Sequence, residues 1–340
     1  MSALPFAPPI EPMLAKLQRE LPPGDGWLFE PKWDGFRSIV FKDGGDVYIQ
    51  SRDLKPFNRY FPELVPALAE DLPDRVVVDG EIVVPGTDGS LDFDLLQMRI
   101  HPAESRIRML SQKTPSSFIA FDLLAEGDDD LRQTPFSERR ERLAVALKAA
   151  SDPSRRRVRG TQILLTPQTD TREEAEAWFD GLSRLSVEGV VAKRPEMGYR
   201  PGDRAMVKVK HVKTADCVVG GYRVSKSGKG VGSLLLGLYD DDGVLHFVGH
   251  TSSFKAQERV DIQEMLRPLE REESFGRGRT PGGPSRWSQR EDPWISVRPV
   301  LVCEVQYDKL QGDRFRHATT FVRWRKDRKP RSCTFDQIQR

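Results

Sequence analysis

Residues 26–84 form a succession of short apolar runs broken by Gly, Asp and Asn. Runs of that length between turn formers predict antiparallel strands joined by tight turns. Residues 47–51 and 76–84 are two such strands, with a short helix over 62–71 between them. The same punctuation sets off one segment of unusual chemistry. Glu30, Lys32, Asp34, Gly35 and Arg37 fall between the apolar runs Trp27-Leu28-Phe29 and Ile39-Val40-Phe41. That puts a lysine at a strand end or short loop, beside a carboxylate, a glycine and an arginine.

Lysine is a poor nucleophile at its ordinary pKa of about 10.4. Burial or a neighbouring cation favours the reactive neutral amine. A divalent metal held by Asp34 would supply such a cation. Gly35 would let the backbone approach a ligand closely, and Arg37 suits a ribose hydroxyl or a phosphate. Taken alone, the spacing also fits a chance hairpin turn.

The chain of 340 residues is long enough for two domains. No run reaches the ~18 apolar residues that cross a membrane. The Pro-rich N-terminus lacks the pattern of a signal peptide, so a cytoplasmic location without a membrane partner is expected. Cys217, Cys303 and Cys333 are widely separated and form no CxxC pair, which suggests no zinc site. The net charge of +2 hides an asymmetry: residues 1–210 carry 30 Lys and Arg against 34 Asp and Glu, residues 211–340 carry 23 against 17. A catalytic domain followed by a polyanion-binding module fits that division; ordinary surface charge fits it too.

Further helices are expected over 91–98, opened by Ser90 or Asp92, over 137–150, and over 171–185, where Glu173, Glu174 and Glu176 suit the helix dipole. Strands are expected at 117–124, 189–193 and 206–210. After about residue 211, short strands at 217–222, 232–239, 245–249 and 300–305 alternate with Gly/Asp turns, and one helix over 255–269 interrupts them. That pattern suggests a small barrel of OB type. Residues 274–290, rich in Gly, Pro, Ser and Arg, read as a mobile loop, and the charge runs 128–130 and 155–157 as solvated loops.

The spacing of Lys32, Asp34, Gly35 and Arg37 resembles the nucleophile motif of the covalent nucleotidyltransferases: ATP-dependent DNA ligases, RNA ligases and mRNA capping enzymes. Five later segments resemble that family's motifs in the same order: Ser51-Arg52, Asp79-Gly80-Glu81, Phe118 to Leu124 with Phe121 in the position of the purine-stacking ring, Glu188 to Lys193, and Lys208-Val209-Lys210. Singly, each has a plainer reading. Glu81 and Glu188 can be turn carboxylates, Phe121 a core residue, Lys208 and Lys210 the solvated face of an edge strand.

The resemblance implies Lys32 as the nucleophile on the α-phosphate of ATP, forming a lysyl-AMP. It implies Lys208 and Lys210 on the α-phosphate, and Arg37, Arg52, Glu81 and Lys193 on sugar and phosphate. Glu30 would take the adenine amino group, and Asp34, Glu81 and Glu188 would hold Mg²⁺ or Mn²⁺. Residues 321–330 resemble the R-x-D-K segment that orients the leaving pyrophosphate, with Arg328 in the place of the usual lysine, and bring in Arg323 or Arg325; a nonspecific basic tail is the plainer reading.

The wording around Lys32, Glu188 and His317 to Arg325 is most similar to bacterial ATP-dependent DNA ligases, both the ligase module of the end-joining enzymes and the small C-type ligases. The expected fold class is α+β: an adenylation domain of antiparallel sheets with helices over 1–211, then an OB-fold DNA-binding domain over 212–340, with a hinge near 208–214. The expected partner is nicked double-stranded DNA near the nucleoid, together with other DNA-repair proteins, and the expected state is a monomer. An RNA or mixed-nick ligase and a non-catalytic nucleic-acid-binding module are the alternatives.

Overall fold

The computed structural model describes residues 4–86, 90–148, 161–181, 187–210, 213–225, 227–276, 281 and 293–338. The chain divides into two compact units, Met1–His211 and Val212–Arg340. The expected loop at 274–290, the basic run 155–157 and the centre of the expected hinge lie largely outside the described residues.

The first unit runs β1 (Leu14–Gln18), β2 (Leu28–Lys32), β3 (Phe36–Asp43), β4 (Asp46–Ser51), α1 (Leu64–Asp71), β5 (Arg75–Val83), α2 (Phe93–Gln97), α3 (Glu104–Lys113), β6 (Ser117–Glu126), β7 (Asp129–Asp130), α4 (Phe136–Ala146), β8 (Ile163–Leu165), α5 (Arg172–Gly181), β9 (Gly189–Lys193) and β10 (Arg204–Lys210). These strands make two sheets, ordered β1-β10-β9-β2 and β4-β3-β5-β6-β7, with β8 beside β6. Alternation along the second sheet feeds two cores. Val40, Val78 and Leu123 face α1 and α4. Ile39, Phe41, Val77 and Leu124 face Met13, Met206 and Tyr199, which joins this sheet to the first. The outer face of the first sheet packs Phe29, Val190 and Val207 against Ala175 and Trp178 of α5. Each such buried aliphatic side chain contributes about 1.5–3 kcal/mol.

The second unit contains β11 (Lys213–Val224), β12 (Val231–Tyr239), β13 (Leu245–Thr251), α6 (Ala256–Leu266), β14 (Ile295–Ser296), β15 (Val302–Tyr307), β16 (Leu310–Gln311), β17 (Arg314–Phe315) and β18 (Thr320–Trp324). Its main sheet runs β13-β12-β11-β15-β18. A bridge between Thr251 and Thr319 brings the first strand of that path back to the last, and the Thr251 hydroxyl donates to the Thr319 carbonyl at 2.8 Å. The sheet therefore curls into an OB-like barrel with α6 inserted after its third strand.

The α+β class agrees with the reading of the sequence. Two pairings, β1 with β10 and β6 with β8, are parallel rather than antiparallel. The helix expected over 137–150 begins at Phe136 and ends at Ala146, with α4 entered from Pro135. Asp92 is the cap of α2, accepting the Leu95 N–H at 2.9 Å. Several elements had no forecast, among them α3, β8, β14, β16, β17, β18 and β1, whose lead-in is held where the Gln50 amide exchanges bonds of 2.9 and 2.7 Å with the Ile10 backbone. The run 128–130, expected as a loop, contributes the short strand β7, which pairs with the end of β6.

Glu63 and Arg99 form a bidentate pair at 2.7 and 2.8 Å, both side chains fully buried, and Glu63 also accepts from the Ser116 backbone and hydroxyl. Removing one partner strands a charge in the core, so Arg99→Ala should lose about 3–5 kcal/mol in a urea melt. A loss under about 1 kcal/mol would contradict this burial.

Candidate active site

β2 presents Glu30 and Lys32 on one face, because alternate residues of a strand point the same way. It pairs antiparallel with β9, setting Lys32 opposite Gly189 and Glu30 opposite Val191. Gly189 in turn pairs with Lys210 of β10. A Cβ on Gly189 would lie 1.9 Å from the Val209 carbonyl oxygen, and its φ is +153°, so only glycine fits there. That close approach brings three charges together. The Glu188 N–H donates to the Lys32 carbonyl at 2.8 Å. The Glu188 carboxylate pairs with the Lys32 ammonium and, at 3.0 Å, with Lys210. Burial alone would raise the Glu188 pKa, but Lys32 and Lys210 outweigh it and hold it at about 2. Lys208 shares a face of β10 with Lys210. Burial first, then Lys32, Lys210 and Arg52, lower its pKa.

The opposite wall is built by β3, β5 and β6. Arg37 of β3 lies across from Glu81 of β5. Its guanidinium grips Asp79 with two bonds of 2.6 Å and stacks 4.5 Å above the Phe121 ring. Tyr199 donates to the same Asp79 at 2.7 Å and accepts the Met13 N–H at 3.0 Å. Burial raises Glu81 to about 7, against the pull of Lys32 and Arg37 and with the push of Glu188 and Asp34. Gly35 lets the turn after Lys32 sit on β5, where a Cβ would meet the Ile82 carbonyl oxygen at 2.2 Å.

Phe121 is the extra residue of a β-bulge: Asp79 pairs with Asp122 and Gly80 with Ala120, and Phe121 is skipped. A bulge re-aims a side chain, and the ring stands on the cleft wall. Lys193 lies 5.0 Å from that ring and pairs with Glu30 at 2.7 Å.

Of the residues singled out from sequence, Glu30, Lys32, Arg37, Arg52, Glu81, Phe121, Lys193 and Lys208 line one cleft. Lys210 and Glu188 stand immediately beside it through their pairing with Lys32. Asp34 is buried and within electrostatic reach of Glu81. Among the described residues no three His, Cys, Asp or Glu side chains form a closed metal cluster. Hard carboxylates with room for phosphate oxygens and water still fit Mg²⁺ or Mn²⁺, which use few protein ligands.

In the second unit Arg323 is 62% exposed and pairs with Glu304 at 2.6 Å. Arg325 is 17% exposed and bonded to Asp216 at 2.9 Å and to Asp327 at 2.7 Å.

The sequence reading missed the lining supplied by Met13, Leu14 and Ala15, and the buried hub of Asp79 and Tyr199. Proline before Met13 hid a strand. Asp79 stood in a recognised motif, but its partners lie 42 and 120 residues away. Thr166 and Gln168, which touch Trp33 and Glu30, carried no signal beyond an ordinary turn.

Two family models match, an ATP dependent DNA ligase domain over residues 9–210 and an ATP dependent DNA ligase C terminal region over residues 227–328. DNA ligase C1 of Mycolicibacterium smegmatis is 48% identical, covering 98% of this chain and 95% of its own length. DNA ligase C of Mycobacterium tuberculosis is also 48% identical, over 99% of this chain and 96% of its own. The crystal structure of the ligase domain from M. tuberculosis LigD has 31% identity and a TM-score of 0.50, over 96% of this chain and 98% of that one. A mycobacterial DNA ligase D complexed with ATP and MES matches with the same figures. With a nucleophile motif opening onto a cleft walled by the other motifs, and with matches along nearly the whole length, the chain belongs to the ATP-dependent DNA ligase family.

Proposed function

We infer that the protein is an ATP-dependent DNA ligase that seals nicks between a 3′-hydroxyl and a 5′-phosphate through enzyme- and DNA-adenylates. The observation that carries the reading is the convergence of Lys32, Lys208, Lys210, Arg37 and Arg52 around one cleft that also holds an aromatic ring and buried carboxylates. Phosphoryl transfer needs positioning and charge neutralisation above all, and this cleft offers both.

In the proposed first step the neutral Lys32 amine attacks the α-phosphorus of ATP. A P–N bond forms, the bond to pyrophosphate breaks with its electron pair leaving on the pyrophosphate oxygen, and the proton released by the amine passes to solvent. Lys208 and Lys210 donate to the α-phosphate as its charge grows. Phe121 stacks on the purine, Glu30 accepts from the adenine amino group, and Arg37, Arg52 and Lys193 hold sugar, phosphate and base-side charge. Glu81, Glu188 and Asp34 would hold Mg²⁺ or Mn²⁺, which supplies further neutralisation of the triphosphate. AMP then passes to the nick 5′-phosphate, and the 3′-hydroxyl displaces it.

We assign adenylation to residues 1–211 and DNA binding to the OB-like unit of residues 212–340, with a hinge near 208–214. Arg323, the exposed one of the two arginines, orients the leaving pyrophosphate; Arg325 shapes the turn through Asp216 and Asp327. A monomer working in the bacterial cytoplasm at the nucleoid, alongside other repair proteins, completes the proposal. The bacterial origin of the relatives supports the cytoplasmic part of that reading.

Protein cleared with pyrophosphate, then incubated with α-labelled ATP and Mg²⁺, should carry label through a denaturing gel; GTP and Lys32→Ala should give none. Absence of label from ATP would overturn the reading. Lys208→Ala should slow labelling by about 10²–10³-fold, the worth of one donor to a developing oxyanion.

Arg325→Ala should lower the melting temperature of the second unit, whereas Arg323→Ala should leave it unchanged and slow labelling. The opposite pattern, read by calorimetry and the same gel, would exchange the two roles.

A further inference from the structure

One short loop crosses between the two sheets of the first unit and touches both flanks of the nucleophile. β8 runs parallel to β6, pairing Leu165 with Ala120. The next residue, Thr166, donates its N–H to the Ala120 carbonyl at 2.9 Å, one residue before Phe121. Three residues on, Thr169 exchanges backbone bonds of 2.8 and 3.0 Å with Phe29 of β2. Residues 166–169 thus tie the Phe121 wall to the strand that carries Glu30 and Lys32.

The two side chains of this loop that reach the nucleophile strand act at different places. The Gln168 amide donates to Glu30 Oε1 at 3.1 Å, while Lys193 holds Glu30 Oε2 at 2.7 Å. A terminal carboxylate torsion is soft, and donors on both oxygens fix its plane. Each oxygen keeps a further lone pair. At the other end the Thr166 hydroxyl accepts the Trp33 indole N–H at 2.8 Å, and Trp33 is the residue directly after Lys32. The Thr166 carbonyl is itself held by the Arg140 guanidinium.

We propose that residues 166–169 are a positioning element with two separable duties: Gln168 sets the Glu30 carboxylate to recognise the purine 6-amino group, and Thr166 sets the Lys32 backbone for attack. The proposal rests on the nucleotide-cleft reading above. A carboxylate held in that plane accepts from an adenine amine and faces the carbonyl oxygen of guanine acceptor to acceptor, which is repulsive. Trp33 anchored at its indole leaves the Lys32 main chain little freedom to swing.

The test is self-adenylylation kinetics of Gln168→Met, Thr166→Val and Thr166→Ser. The nucleotides are ATP and purine riboside triphosphate, which lacks the 6-amino group. Gln168→Met should raise the KM for ATP about fivefold to tenfold, the worth of one hydrogen bond. It should leave the KM for purine riboside triphosphate unchanged and kcat within about twofold. Thr166→Val should cut kcat about tenfold with both KM values unchanged, and Thr166→Ser should restore it. Equal KM changes for the two nucleotides in Gln168→Met, a joint change of KM and kcat in Thr166→Val, or no change in either variant would overturn the proposal. Failure of the wild type to label with ATP would instead overturn the ligase reading.

Discussion

One carboxylate makes the cationic cleft possible. Lys32, Lys208, Lys210 and Arg52 crowd around a partly buried space, and the lowered pKa of Lys208 records their mutual repulsion as well as its burial. Unit charges at about 4 Å near a protein surface interact by roughly 4 kcal/mol, so such a group needs an anion among it. Glu188 is that anion, held in the ionised form by the two lysines it joins. It can stand there because Gly189 has no side chain and lets β2, β9 and β10 close on one another. Substituting that glycine would separate the three charges as well as the strands. Glu188 thereby lets the cleft carry so much positive charge without coming apart, and an anionic ligand entering it would meet the same electrostatic demand.

The charges on the other wall are oriented by pairing more than by exposure. Arg37 reaches the cleft, yet both bonds to Asp79 are spent behind it. Tyr199 completes the arrangement and carries it to Met13, so the N-terminal strand, β3, β5 and the segment after β9 meet at one buried carboxylate. Burial followed by the charge of Asp79 pushes the Tyr199 hydroxyl well above its ordinary pKa, so it remains a donor at any ordinary pH. Bidentate contacts of this kind give fixed geometry as well as energy, and a guanidinium fixed from behind presents its free face to a ligand with little entropy left to lose.

What was legible in the chain follows from the range of the interactions. Strands such as β4, β5 and β9 were readable because alternation and turn residues are local signals. The motif residues were readable because their spacing is local as well. The bulge at Phe121 was not, since it depends on how β6 registers against β5, and the apolar run around it reads equally as core. The pairing of Glu63 with Arg99 joins residues 36 apart, and Tyr199 meets Asp79 across 120 residues. Cys217 and Cys303, distant in sequence, stand opposite each other on β11 and β15, and burial raises the thiol pKa of both and of Cys333. Their convergence marks an inert barrel core, since burial in apolar surroundings disfavours the thiolate.

The two arginines of the last strand and turn show why motif and role separate. Arg323 and Arg325 are two residues apart with the same chemistry, and the sequence offered no ground to choose between them. The barrel divides them. Arg325 is drawn inward by Asp216, on β11, and by Asp327 in its own turn, and is left 17% exposed. Arg323, on the edge strand β18, keeps 62% of its side chain in water and pairs with Glu304 at 2.6 Å. A guanidinium enclosed by carboxylates must break those bonds before it binds phosphate, whereas an exposed one exchanges one weak surface pair for another. Asp216 thus draws Arg325 into the turn and leaves Arg323 the more exposed of the two, and that carboxylate lies more than a hundred residues upstream, outside the motif.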